Sequence, residues 1–406
     1  MLRLRSRLWL LVGLSLVASA PRGAQAEATP PRVDLTRIRV EPSGATAPTS
    51  DGHTARLSID PKLQRTADRL LARANPVEGA AIVVDARSGR VLVWSERRRA
   101  SDAPGSVLLA AKEPSASLFK LVTTAALLTH GGVNPKQSVC IAGGERRIER
   151  RHLEPPRGGE IQCNSFGTAL GHSRNAAYAQ LATRHLMRSD LVYMAERMGL
   201  NAKVPFDADL EAGRVTVPYN DLEFARTAAG FGDAVLSPLG ALQLASIVAL
   251  SGQRLQFRIV DAAGSYVAPK GPVLGERVLE PAVATTLRRM MEVTVHSGTS
   301  LEAFGTKDGK SQLGRIRAAG KTGTLRVAKA DTTTTWFVGF APSHAPELLV
   351  SVMLSNGPVW RQKANELGRD LMRAWFAERR VSGVSHPLDA AIAEAPPLQA
   401  ARPTPP

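Results

Sequence analysis

Ser117-Leu118-Phe119-Lys120 opens an apolar run, Leu118 to His130, whose spacing predicts a helix, and Pro114 lies just ahead of it. The serine and the lysine then fall in the first helical turn, where residues three apart share a face. A serine hydroxyl is a poor nucleophile until a base lies within hydrogen-bond reach. Lysine can be that base only as a neutral amine, which a helix N-terminus, a second cation and partial burial beside Phe119 all favour. A lone Ser-x-x-Lys is a common accident of sequence and reads as a helix start with a solvated lysine.

Two further short patterns follow in the chain. Ser173-Arg174-Asn175, in the stretch Ala169-Leu170-Gly171-His172-Ser173-Arg174-Asn175, directly precedes a second helical pattern. Its hydroxyl could relay a proton and its amide could orient Lys120, although such a pair alone is more often an N-cap and its companion. Lys321-Thr322-Gly323-Thr324, after Ala318-Ala319-Gly320, fits a strand. Gly323 allows close approach of a ligand backbone, Lys321 supplies positive charge, and Thr322 and Thr324 supply hydroxyls suited to a carboxylate.

Each pattern is weak alone; together, in this order, they are specific. On them the chain resembles the transpeptidase domain of penicillin-binding proteins, over roughly residues 56–378. The likeness extends to the opening segment Leu57 to Gln64 and to a hairpin at Val84 to Leu92. It includes Ala176 to Ala182, Ser237-Pro238-Leu239 with Gln243-Leu244-Ala245, and Gly298-Thr299. The resemblance implies a catalytic group of Ser117, Lys120, Ser173 and Lys321. Ser117 is acylated by a D-Ala–D-Ala stem peptide or a β-lactam, Lys120 is the base, Ser173 passes the proton on, and Lys321 sets the field around Ser173. It implies substrate-binding roles for Asn175, Thr322, Gly323 and Thr324, and an oxyanion hole from the backbone N–H groups of Ser117 and Thr324. The implied partners are peptidoglycan stem peptides, β-lactam antibiotics and other cell-wall synthesis proteins. No cofactor and no metal is expected. Two departures stand out. Pro114-Ser115-Ala116-Ser117 has no glycine where the family often has one, and residues 27–55 are too few for the pedestal or glycosyltransferase region that larger members carry.

The fold expectation comes from the ends of the chain. Pro61, with Asp60 as N-cap, starts a helix striped by Leu63, Ala67, Leu70 and Leu71. A hairpin follows, Gly79 to Asp85 and Arg90 to Trp94 about the turn Ala86-Arg87-Ser88-Gly89. Late strands are expected at Thr334 to Phe340 and Leu348 to Leu354, then a helix at 364–380. Helical patterns at 118–130, 176–188, 238–250 and 280–296 lie between. The expected class is α+β: an antiparallel sheet built from N- and C-terminal segments and flanked by helices, with a mostly helical second lobe. This is the penicillin-binding, β-lactamase-like architecture that the resemblance implies.

Of the 406 residues, 44% are hydrophobic, enough for a sizeable core, and the formal charge is +16. Arg3, Arg5 and Arg7, the apolar run Leu8 to Ala20 and Ala24-Gln25-Ala26 read as an export signal over 1–26, with an uncleaved anchor as the rival. Without its four arginines the charge is +12. Such a field can attract an anionic envelope polymer, but the reading preferred is an arginine-rich composition solvating an ordinary surface. No basic block interleaved with aromatics points to nucleic acid. Residues 27–55 read as a flexible linker, 56–380 as the catalytic domain and 381–406 as a disordered Ala/Pro-rich tail. The expected location is the periplasm or the outer face of the cytoplasmic membrane. Cys140 and Cys163 share one loop-rich segment and are a candidate disulfide, with two free thiols as the alternative. Asp209 and Glu211 are considered and set aside as a deacylating carboxylate. Rival functions are a D,D-carboxypeptidase or β-lactamase using the same acyl-enzyme, and a non-catalytic envelope scaffold.

Overall fold

In the computed structural model, which describes residues 30–99 and 105–381, the runs expected at the two ends of the chain lie side by side. The central sheet has the order Ala319–Val327, Thr332–Ala341, Leu348–Asn356, Glu78–Asp85, Val91–Arg98. Every neighbouring pair is antiparallel, and the N- and C-terminal contributions meet where Ser351 opposes Ile82. The α+β expectation holds.

Alternation along the strands sorts two cores, because successive side chains point to opposite faces. Ala80, Ile82 and Val84 join the core that holds Leu239 and Leu242. Ala81 and Val83 join the other, with Leu63, Ala67 and Leu71 of helix Pro61–Ala74 and with Leu367 and Leu371 of helix Ala364–Val381. Asp60 caps the first of these helices by accepting from the N–H groups of Lys62 and Leu63 at 2.8 and 3.0 Å. Helix Pro238–Ala249 is buried at every position, as a helix apolar nearly all round must be, and lies between the sheet and the helical lobe. Its two polar side chains, Gln243 and Ser246, bond each other at 3.0 Å. Among the described residues no helix is long and apolar enough to cross a membrane.

The structure departs from expectation in two places. The linker reading of 27–55 does not describe residues 30–55. Strands Arg39–Glu41, Gly44–Pro48 and Thr54–Leu57 form a second sheet with Val260–Ala263 and Tyr266–Val267. Ala45, Ala47, Ala55 and Leu57 are buried there, against a partner strand some 200 residues away that local composition cannot reveal. The helix expected over 176–188 is two helices, Asn175–His185 and Arg188–Arg197. Leu186 and Met187 are extended between them, and Asp190 accepts from the Met187 N–H at 2.8 Å to start the second. The export-signal reading and the tail reading from residue 382 onward fall outside the described residues.

Candidate active site

The three sequence patterns meet in one cleft of about 420 Å³ lined by Ser117, Ser173, Asn175, Thr322, Gly323 and Thr324. The approach to Ser117 is fixed from several sides. Glu113–Pro114 pairs with Val235–Leu236, the Trp336 indole donates to the Pro114 carbonyl at 2.9 Å, and Thr334 bonds the Glu113 carboxyl. Burial, the largest influence on Glu113, raises its pKa against the lowering effect of that hydroxyl. Ala116 turns the chain with φ 47°, a left-handed conformation that costs a non-glycine residue about 1 kcal/mol. Ser117 follows in the tight turn Ala116–Phe119, which runs into helix Lys120–Thr129.

Lys120 is fully buried, and its Nζ lies 2.8 Å from Ser117 Oγ, 2.7 Å from Asn175 Oδ1 and 2.6 Å from the Ala229 carbonyl oxygen. As a neutral amine it can donate to the two carbonyl-type oxygens and turn its lone pair to the serine O–H. Burial holds its pKa well below the ordinary lysine value, and the charge of Lys321 lowers it further. The Tyr178 ring centroid lies 5.5 Å from Nζ, and the Tyr178 hydroxyl bonds Thr124 at 2.6 Å.

Ser173 sits at φ 54° in the turn before helix Asn175–His185, held by Ser173 N–H to Leu170 and Arg174 N–H to Ala169. That turn brings its hydroxyl 3.2 Å from Lys321 Nζ, which also donates to the Thr322 carbonyl at 2.6 Å. Lys321 is fully buried, and burial lowers its pKa to about 7. Ala319–Val327 is the edge strand of the sheet, so backbone groups on its cleft side are not used by a further strand. Gly323 leaves room there: a methyl on it would stand 3.3 Å from Ala116 Cβ and from Trp336. The arrangement can deprotonate one hydroxyl, hand a proton through a second, and offer hydroxyls to an anionic group.

The family model "Penicillin binding protein transpeptidase domain" matches residues 79–373. The chain belongs to the penicillin-binding protein transpeptidase family. It is 25% identical over 343 residues to the peptidoglycan D,D-transpeptidase PbpA of Mycobacterium tuberculosis, covering 74% of this chain and 67% of that protein. It is 26% identical over 341 residues to penicillin-binding protein PbpB of Mycolicibacterium smegmatis, covering 75% of this chain and 50% of that protein. The imipenem acyl-enzyme structure of penicillin-binding protein A from M. tuberculosis shares the fold, with a TM-score of 0.66 at 21% identity and 80% coverage of each chain.

Within this penicillin-binding domain the fold adds contacts that the sequence patterns do not pair. The Thr299 hydroxyl bonds that of Thr322 at 2.6 Å, and Ser300 beside it accepts from the Asn365 amide at 3.2 Å. The Glu145 carbonyl accepts from Asn175 Nδ2 at 2.5 Å. Trp360 and Lys363 complete the rim. Asp209 and Glu211 are not part of the cleft; they pair with Arg32 and Arg214.

Glu145 belongs to a loop closed by a disulfide. Cys140 and Cys163 oppose each other on strands Ser138–Ile141 and Gln162–Ser165 and are bonded, with a sequence separation of 23. By loop-closure entropy, Cys140→Ser is expected to lower the unfolding free energy by about 3 kcal/mol, read from urea denaturation. It is also expected to slow acylation, because the loop it frees carries the carbonyl that orients Asn175. Unchanged acylation would show that the loop holds Asn175 without the bond.

Proposed function

We propose that this chain is a peptidoglycan D,D-transpeptidase that forms an acyl-enzyme on Ser117 and is acylated there by penicillin. The observation that carries the reading is the buried Lys120 amine, 2.8 Å from Ser117 Oγ, in one cleft with the Lys321–Ser173 pair. In this mechanism the Ser117 proton passes to Lys120 as Oγ attacks the carbonyl of the penultimate D-alanine. The C–N bond to the terminal D-alanine then breaks, and its nitrogen leaves as an amine with a proton delivered through Ser173. An acceptor amine attacks the resulting ester, restores the serine hydroxyl and forms the new amide. Thr322 and Thr324 hold the terminal carboxylate, and Asn175 the donor amide. The backbone N–H groups of Ser117 and Thr324 are the oxyanion donors, each worth about 10²–10³ in rate. Residues 1–26 direct export, and the domain closing near residue 380 works outside the cytoplasm, where its substrate is.

Intact-mass measurement after penicillin exposure, followed over time, tests this. One adduct on the peptide bearing Ser117 is expected, persisting for many minutes, and no adduct with Ser117→Ala. No adduct on the parent chain sinks the reading. Rapid release of hydrolysed penicillin turns it into a β-lactamase.

A further inference from the structure

The cleft continues past Thr324 to a wall that the proposed chemistry leaves unused. Trp336, Trp360 and Lys363 line it. Thr324 is paired across the sheet with Thr335, whose hydroxyl accepts from the Ala364 N–H at 3.3 Å. Lys363 precedes Ala364 and gives its own backbone N–H to Glu366 at 2.8 Å, so the residue is fixed at the entrance of helix Ala364–Val381. Its side chain is exposed and enters no ion pair among the described residues. Trp360 is 38% exposed, leaving apolar surface in the same cleft as that cation.

We propose that Lys363 is a specificity-determining residue that pairs with a second carboxylate of the donor peptide, at the end of its third-residue side chain. The inference rests on the D,D-transpeptidase reading of the same cleft. The terminal carboxylate already has Thr322 and Thr324 and does not call for another cation. An extended peptide advances ~3.3 Å per residue, so the third residue lies within two residue lengths of the scissile carbonyl. Its side chain can then run over Trp360 with its methylenes and end at Lys363. A diamino-dicarboxylic acid fits that wall. A lysine at the same place sets one ammonium against another.

Three pentapeptide donors ending in D-Ala–D-Ala test it. They differ only in whether the third residue ends in a carboxylate beside its amine, in the corresponding carboxamide, or in an amine alone. The rate of Ser117 acylation is read by competition with a fluorescent penicillin. The parent chain is expected to favour the carboxylate over the carboxamide by about fivefold, the size of one partly screened ion pair. The preference is expected to vanish in Lys363→Ala, invert in Lys363→Glu and shrink at high salt. Equal rates in the parent overturn the subsite. So does a Lys363→Ala variant that slows all three donors alike, since that places the lysine on the terminal carboxylate or in the fold. Penicillin labelling of parent and variants is measured alongside. A parent that is not labelled brings down the transpeptidase reading and the subsite with it, whereas a labelled parent without donor preference brings down the subsite alone.

Discussion

Lys120→Ala is expected to slow acylation of Ser117 by about 10³-fold, within the range that a positioned general base contributes. Lys120→Arg is expected to be as slow, because guanidinium stays protonated and cannot take the serine proton. Recovery of rate in the arginine variant would mean that Lys120 acts as a fixed charge. The pH dependence separates the two roles further. The neutral amine is the active form, so acylation is retained above the folded-state pKa of Lys120 and lost as pH falls through it. Burial and then the Lys321 charge lower that pKa, which extends the active range toward lower pH. Lys321→Ala removes the like charge, so the acid limb of the profile is expected to move to higher pH.

The same shifts make stability pH-dependent. Unfolded lysines hold their protons up to about 10.5, whereas Lys321 releases its proton in the folded chain at about 7. Between those values the unfolded state binds more protons, so stability rises with pH across that window. The urea midpoint measured from pH 7 to 10 checks it, and a flat profile would mean that the buried amines are hydrated.

Gly230→Ala is expected to disable the site without touching a side chain of the mechanism. Gly230 has φ +89°, and a methyl there would stand 2.3 Å from the Ala116 carbonyl oxygen and 3.2 Å from Ser117 Cα. Neither neighbour is the free end of a side chain, so the turn that carries Ser117 must itself move. The strained φ and the overlap together are expected to cost about 3 kcal/mol of stability. Displacing Ser117 by about 1 Å is expected to slow acylation by about 100-fold. Circular dichroism with penicillin labelling distinguishes a folded, slow enzyme from an unfolded one. A folded variant labelled at the parent rate would show that the turn relaxes freely.

The features legible in the sequence share a cause. Ser117 and Lys120 are three apart, one in the tight turn Ala116–Phe119 and the other at the start of the helix it runs into, so their meeting is local. Asp60-Pro61 is a start signal that the chain obeys, with the helix at Pro61–Ala74. Helix Pro238–Ala249 and the strand about Leu348 to Leu354 are strong apolar runs whose type their length and flanks decide. What stayed hidden depends on partners far away in the chain. Residues 39–57 carry little apolar area, and the last of their three strands pairs with Val260–Ala263, some 200 residues away. The Glu145 and Ala229 carbonyls that hold Asn175 and Lys120 are backbone groups, which no residue type advertises. Gly298-Thr299 is marked by the family likeness, but its bond to Thr322 shows only once the two are placed together.

The joining of Ile82 to Ser351 has a temporal consequence. A ribosome releases Ser117 about 200 residues, or roughly 10–40 s, before it releases Lys321. Until the late strands arrive, the early hairpin has an open flank and Lys120 has no second ammonium beside it. A nascent or truncated polypeptide therefore holds an unfinished cleft, completed only when the last hairpin docks.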